Sequence, residues 1–419
     1  MDSSTPVVIL NCELGGLAIL RSLAPFGVEC WGVDKHAGCA GFLSRYCQGR
    51  RVIGRYDDRD PRPYLDLVLD LGRKLGRRAI LIPTADDLVL FTVRFREELS
   101  RYFDYPCNTV EVVERLISKL EMAGFAEPYG VPVAKTALPS NEAELLALEP
   151  QFGYPVLLKP CFSNRPLRGD TQTMVIVDNR DDLIREYRAR ETFESPNMML
   201  QEYIPGGDDQ IYIFNGYFDA NSRCVAGFTG RKIRQHPIHR GCASLGEQCS
   251  SEAVMQHMIQ FLGAIGYRGV VDAGLRYDAR DGRYKLLDVN PRVGQAFRLF
   301  LARDGTDVVQ AMYRDLTGQA VGELVQREGR RWAIEDMDLV SFFGYRKEGS
   351  LGFRQWLASY RGVEETAWWS WRDPRPFAVM SARLASRAVR YLGKQVWGGT
   401  AESSSAPAAA DAPSGKLTI

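Results

Sequence analysis

A chain of 419 residues is too long for one compact core, so two to four domains are expected. Its 45% apolar and 25% charged residues suit an ordinary globular protein in water, and a formal net charge of +1 offers no basic surplus for nucleic acid. No apolar run reaches the roughly 18 residues of a transmembrane helix, and the polar start Met1-Asp-Ser-Ser-Thr-Pro6 lacks the core of a signal peptide. Nine scattered cysteines without a Cys-x-x-Cys pair disfavour a disulfide framework or a zinc ribbon, so a reducing cytoplasm is expected.

Val7 to Asn11 reads as a short buried strand, Gly15 to Leu23 as a helix after a glycine turn, and Val28 to Asp34 as a second strand. Tyr64 to Leu75 has apolar positions at helical spacing, and Ala79 to Pro83 is another strand. This βαβ alternation predicts a parallel sheet. Gly15-Gly16 with Asp34 lacks the full G-x-G-x-x-G fingerprint, so no nicotinamide site is expected. From about residue 110 the style changes: Val110 to Phe125 has a helical pattern, and short strands follow at Pro155–Lys159, Met174–Val177, Met198–Tyr203, Gln210–Phe214, Val225–Thr229, Val270–Arg276 and Tyr284–Val289. Helices at Glu142–Leu148, Asp181–Arg190 and Ser251–Gly263 complete an α+β pattern.

Four islands carry the chemistry. They are Ser118-Lys119 to Val133, Phe152-Gly-Tyr-Pro-Val-Leu-Leu-Lys159-Pro160, Met199-Leu-Gln-Glu-Tyr-Ile-Pro-Gly-Gly-Asp-Asp209, and Lys285-Leu-Leu-Asp-Val-Asn-Pro-Arg-Val-Gly294. Lys159 closes an apolar strand, which would set its ammonium at a sheet edge facing a cleft. On a strand, Asp288 and Asn290 share one face, and sparse hard oxygen ligands of this kind suit Mg²⁺. With these islands in this order, the chain resembles the ATP-grasp superfamily, and within it the carboxylate–amine ligase branch that includes D-aspartate ligase-like proteins, over roughly residues 5 to 320.

The resemblance implies a Rossmann-like α/β domain over residues 1–109 and an α+β ATP-grasp domain of two subdomains over 110–322. Beyond the reach of the resemblance, composition gives a Trp-rich basic extension over 323–398 and a disordered tail over 399–419, rich in Ser, Ala and Pro. ATP and Mg²⁺ are the implied cofactors. Lys159 would contact the α- and β-phosphates, with Lys119 approaching from the neighbouring subdomain. Gln201, Glu202, Tyr203 and Ile204 would form the hinge that reads adenine through backbone groups, although the family usually has Glu where this chain has Gln201. Either Asp208 or Asp209 would take the ribose hydroxyls. The family's other metal carboxylate aligns near Gly274, which has no side chain to offer, so the role passes to Asp272 on the same strand face. The loop from Phe162 to Thr173, with Arg165, Arg168 and Gly169, would fold over the triphosphate. Arg231, Lys232 or Arg234 would approach the γ-phosphate or an acceptor carboxylate, and Arg292 would stabilise an oxyanion. His236 and His239 do not read as a metal pair, because Pro237 breaks helical spacing and no further ligand completes a set.

The implied activity is ATP-dependent joining of a small-molecule carboxylate to an amine through an acyl phosphate, with room for a homodimer. Carboxylase or kinase chemistry on the same nucleotide site, or a nucleotide binder with a decayed ligase site, are the alternatives. Near the C-terminus stand Trp332, Trp356, Trp368, Trp369, Trp371 and Trp397, with Arg383, Arg387, Arg390 and Lys394 at helical spacing. That composition reads either as a helix packed on the enzyme or as a contact with the inner membrane surface and a lipid-linked substrate.

Overall fold

The computed structural model describes residues 1–162, 174–192 and 194–397. The expected phosphate loop with Arg165, Arg168 and Gly169, and the tail over 399–419, lie outside the described residues.

Val7–Leu10 (β1) is four aliphatic residues without an exposed face, as a strand covered on both sides requires. It runs parallel to Cys30–Asp34 (β2) on one side and Ala79–Pro83 (β4) on the other. Gly49–Val52 (β3) and Phe103–Asp104 (β5) complete a five-stranded parallel sheet of order β3-β2-β1-β4-β5. Its helices are Leu14–Leu23 (α1), Ala40–Leu43 (α2), Arg62–Leu75 (α3), Asp86–Arg94 (α4) and Arg96–Leu99 (α5). The strand order reverses between β1 and β4, so the loops that leave these strands diverge and open a crevice, the usual ligand position in such sheets. Asn11 sits there in the left-handed region (φ 69°), and its amide donates to Thr84 Oγ1 at 2.8 Å.

The continuous helix expected over Val110–Phe125 is two helices, Val110–Ile117 (α6) and Lys119–Ala126 (α7). Ser118 between them is extended, and its hydroxyl accepts from the Glu121 N–H, the Ser-x-x-Glu start of a new helix. Lys119 thereby becomes a first-turn residue directed by the cap.

Two further sheets follow. Thr136–Ala137 (β6), Val156–Pro160 (β7), Val175–Val177 (β8) and Met198–Glu202 (β9) form an antiparallel sheet of order β6-β9-β7-β8. Glu142–Leu148 (α8) and Arg180–Arg190 (α9) accompany it, and Leu145, Leu158, Leu183, Tyr187 and Leu200 build it a core of its own. We call this unit the lid. The larger sheet takes Ile211–Phe218 (β10), Cys224–His236 (β11), Cys242–Gln248 (β12), Gly269–Asp278 (β13) and Arg283–Asn290 (β14) in the order β14-β13-β10-β11-β12. Arg331–Ala333 (β15) and Val363–Thr366 (β16), from the expected C-terminal extension, continue this sheet beyond β12. Glu252–Ala264 (α10), Val308–Leu316 (α11), Glu335–Lys347 (α12), Phe353–Ser359 (α13) and Arg375–Trp397 (α14) are its helices. One apolar cluster runs from Leu17 of α1 through Tyr217 and Phe228 to Met312 of α11, and takes in Trp332, Trp368 and Met380.

Of the described C-terminal tryptophans, Trp332 and Trp368 are buried, and Trp356 and Trp369 are partly covered. Trp356 Nε1 donates to Asp338 at 2.8 Å, and Trp368 Nε1 to Asp336 at 2.9 Å. Trp371 is exposed, stacked edge-on against Trp369. Met380, Arg383 and Leu384 of α14 line the central cleft, which gives the membrane-surface reading no support; the side chains of Arg387, Lys394 and Trp397 lie outside what is described. Among the described residues no helix is long and apolar enough to cross a membrane.

Candidate active site

A cleft of about 1180 Å³ lies where the lid, the large sheet and the crevice of the parallel sheet meet. Of the residues singled out from sequence, Lys119, Lys159, Gln201, Glu202, Tyr203, Ile204, Asp208, Lys232, Asp272, Asp288, Asn290 and Arg292 line it. Arg231 and Asp209 do not.

The carboxylates come from adjacent antiparallel strands. Asp272 of β13 stands opposite Asn290 of β14, and Gly274 opposite Asp288. Alternation along each strand turns these four positions to one side. The Gly274 N–H donates to Asp288 Oδ1 at 3.0 Å, and a Cβ on Gly274 would stand 2.6 Å from that oxygen. A Cβ on Gly294 would fall 2.1 Å from Asp272 Oδ2. Both glycines are thus spaces filled by the neighbouring carboxylate, and Asp288 occupies the room that a side chain at 274 would need. Burial raises the Asp272 carboxyl to about 6; Arg292 and Lys232 oppose the rise and Asp288 adds to it. Asn290 Nδ2 donates to the Asp272 carbonyl at 3.2 Å, and its Oδ1 accepts from Arg292 Nη2 at 3.3 Å.

Lys159 is next to last in β7 and is 9% exposed. Burial and the nearby Lys119 ammonium push it down to about 7, with Asp288 opposing. Burial lowers Lys119 as well, and its Nζ donates to the Pro160 carbonyl at 3.4 Å. Two ammonium groups held together away from water are a strong anion-binding arrangement, because an entering anion relieves both desolvation and mutual repulsion.

The basic run on β11 sorts by what each side chain meets. Lys232 lines the cleft and donates to the Gly241 carbonyl at 2.8 Å. Arg231 instead pairs with Glu247 at 2.7 Å, and Arg234 is buried in a double ion pair with Asp338 at 2.8 Å. Of the three arginine and lysine candidates for the γ-phosphate, only Lys232 therefore stands in the cleft; irregular pairing between Lys232 and Gln235 hid this from a simple alternation rule.

At the hinge, Gln201 is buried in the lid sheet between partners Thr136 and Leu157. The Glu202 carboxylate accepts from Lys285 Nζ at 3.0 Å, from Arg280 and from the Lys135 N–H, so it ties lid to body. Asp208 is equally engaged: it accepts from Gln235 Nε2 at 2.9 Å and from Tyr345 Oη, and contacts His239 Nδ1 at 3.2 Å. His239 reaches Glu348 with its other ring nitrogen at 2.8 Å, and His236 contacts Ser341 Oγ at 3.2 Å. These histidines fasten the β11–β12 hairpin to α12.

Two cleft residues escaped the sequence reading. Asp86 opens α4 and accepts from Arg292 Nε at 2.6 Å, which fixes the guanidinium against the start of that helix. Its signal was an Asp-Asp pair at a helix start after a parallel strand. Arg276 lies two positions beyond Gly274 on the same face of β13; its Nη2 donates to the Gly206 carbonyl, and its Nε has no hydrogen-bond partner among the described residues. Strand alternation from Asp272 would have found it.

No protein-family profile matches the chain. Over 275 residues it is 28% identical to D-aspartate ligase of Enterococcus faecium, covering 62% of this chain; it spans 64% of the length of that relative. N5-carboxyaminoimidazole synthetase from Staphylococcus aureus, solved with ADP, superposes with a TM-score of 0.62 at 12% identity over 79% of this chain and 82% of that one. The biotin carboxylase domain of Hydrogenobacter thermophilus 2-oxoglutarate carboxylase, a dimer solved with MgADP, ADP and bicarbonate, gives 0.59 at 17% identity over 78% and 73%. The chain is thus a homologue of D-aspartate ligase that shares the ATP-grasp fold of these two structures.

Proposed function

We propose that the chain is an ATP-dependent carboxylate–amine ligase, forming an amide through an acyl phosphate and releasing ADP and phosphate. The observation that carries this is the convergence of Lys159, Lys119, Lys232 and Arg292 on the Asp272, Asp288 and Asn290 oxygens within one cleft. Adenine lies in this reading against the hinge at Gln201–Ile204, near Arg276. Asp208 is spoken for by Tyr345, His239 and Gln235, and Asp209 stands outside the cleft lining, so backbone groups around Gly206 and Gly207 are left to meet the ribose.

The donor set fits Mg²⁺: two carboxylates and one amide oxygen are hard, few and open to a shared space. Asp288, Asn290 and Asp272 would hold the ion, which when bound neutralises phosphate charge. The protein's own part is positioning. Lys159 and Lys119 hold the phosphate chain, and phosphoryl transfer to a substrate carboxylate then needs alignment rather than a protein nucleophile. Amine attack on the acyl phosphate builds a tetrahedral oxyanion, and Arg292, held by Asp86, is placed to stabilise it.

The test is incubation of purified protein with MgATP and pairs of amino acids, followed by mass spectrometry. A ligase releases ADP with an amide-bonded product. ADP release that requires bicarbonate, or a stable phosphorylated product, would identify a carboxylase or kinase instead; nucleotide binding without turnover would identify a binder.

A further inference from the structure

The cleft does not stop at Arg292. It continues over the parallel sheet into a chamber with an apolar wall: Leu14 of α1, Ala40 of α2, Met337 of α12, Trp368, and Met380 and Leu384 of α14. Leu14, Ala40, Trp368 and Met380 belong to one buried cluster with Met337 packed against it, so the wall is continuous.

The wall is also fixed in place. Trp368 is held by Asp336 through its indole and by Glu335 through its backbone N–H. Arg21 donates to the carbonyls of Ala367 and Trp368 at 2.8 Å and to Asp373 at 3.1 Å, clamping the approach to α14 against α1. Farther along α14, Arg383 Nη2 donates to the Gly38 carbonyl at 3.0 Å. Arg383 and Glu13 both border the cleft and lie within electrostatic reach of each other. Opposite charges beside an apolar wall match the two ends of a zwitterion with an apolar side chain.

We propose that this chamber receives the side chain of one substrate, and that this substrate is an amino acid or a related amine bearing an aliphatic, thioether or aromatic group. The inference rests on the ligase reading for the reacting groups, while the chamber is argued from its own chemistry. An acidic side chain there would lose its water against Met337, Met380 and Trp368. A hydrocarbon gains from the same surroundings.

The test is calorimetry of the full-length protein with Mg²⁺ and a non-hydrolysable ATP analogue. Leucine, methionine and phenylalanine are titrated against aspartate and glutamate, in both enantiomers, with ADP release measured for each in pairwise mixtures. Apolar amino acids are expected to bind at least about tenfold more tightly than acidic ones, the scale on which apolar pockets discriminate. Leu384→Arg, at a half-buried position, should abolish that binding and keep analogue affinity, whereas Leu384→Met should keep both. Preference for acidic ligands, or undiminished apolar binding in Leu384→Arg, overturns the chamber. Turnover with acidic partners alone overturns it while leaving the ligase standing; apolar binding without ADP release supports the chamber and counts against the ligase.

Discussion

The lid and the body hold the nucleotide cleft from opposite sides and are built differently. The lid packs on a small core around Leu145, Leu183 and Tyr187. In the body, α1, the large sheet, α11 and the start of α14 share one cluster. Few buried apolar groups mean a lower local opening energy, so the lid is the part free to move and the body is the part that fixes geometry. The charges follow this division. Oxygen ligands that need accurate placement stand on β13 and β14 of the body, while the lid brings Lys159, a point charge tolerant of displacement.

The largest expected effect tests the body. Asp288→Ala or Asn290→Ala should lower ATP turnover by about 100- to 1000-fold, the scale of losing one preorganised electrostatic contact. Both residues are half-buried beside open cleft, so the melting temperature should hold within a few degrees. Full activity in either variant would remove the pair from the chemistry.

The next effect tests the lid, and its two readouts have opposite signs. Lys159→Met should weaken binding of an ATP analogue by about 10- to 100-fold, as a charged hydrogen bond predicts. The same change should raise the stability of the nucleotide-free protein, because it removes an ammonium that burial disfavours. Thermal melts with and without analogue read both. A pH series sharpens the point. Lys159 is near 7 in the folded protein, whereas an unfolded lysine titrates at about 10.4. Between these values the unfolded chain binds more protons, so its contribution to stability rises with pH, and Lys159→Met should flatten that rise. Phosphate favours the protonated form, so analogue affinity should fall above pH 7 by up to about tenfold per unit.

How much of this was legible depends on what each feature needs from distant residues. Local chemistry was readable where it was read: the face shared by Asp288 and Asn290 and Lys159 near a strand end follow from neighbours in the chain, whereas the equally local cap at Ser118 was passed over in favour of one continuous helix. Residues of all four islands line the cleft. Asp208 was not readable, because its partners Tyr345 and His239 come from the hairpin and from α12. Gly274 looked like a lost ligand in sequence, yet the strand register shows its space filled by Asp288. The apolar chamber needs α14, far from every island, to close over α1 and α2.

A smaller effect probes the joint between the two units. Glu202→Gln removes the charge that Lys285 and Arg280 share at the hinge. Lys285 keeps Asp278 at 2.7 Å, so stability should fall by only about 1–2 kcal/mol, the value of a partly buried charged hydrogen bond. The KM for ATP should rise a few-fold while kcat changes little, if the pair sets how often the lid stands closed. Equal loss in kcat would place Glu202 in the chemistry rather than at the hinge.

The smallest effect is a control within the body. Arg231 and Lys232 are adjacent on β11, carry the same charge and are indistinguishable in sequence, yet only Lys232 lines the cleft. Arg231 is 39% exposed at its side chain and shares Glu247 with Arg331, which holds the same carboxylate at 2.9 Å. Its removal leaves Glu247 paired, and exposed ion pairs are worth about 0–1 kcal/mol. Arg231→Ala should therefore keep turnover within about twofold, while Lys232→Ala, beside Asp272, should lose at least about tenfold if it supports the transferring phosphoryl group. Steady-state kinetics on the two variants side by side are the measurement. A large loss in Arg231→Ala with Lys232→Ala active would mean that β11 presents its other face to the substrates when the lid closes, and the body would then be less rigid than its continuous core requires.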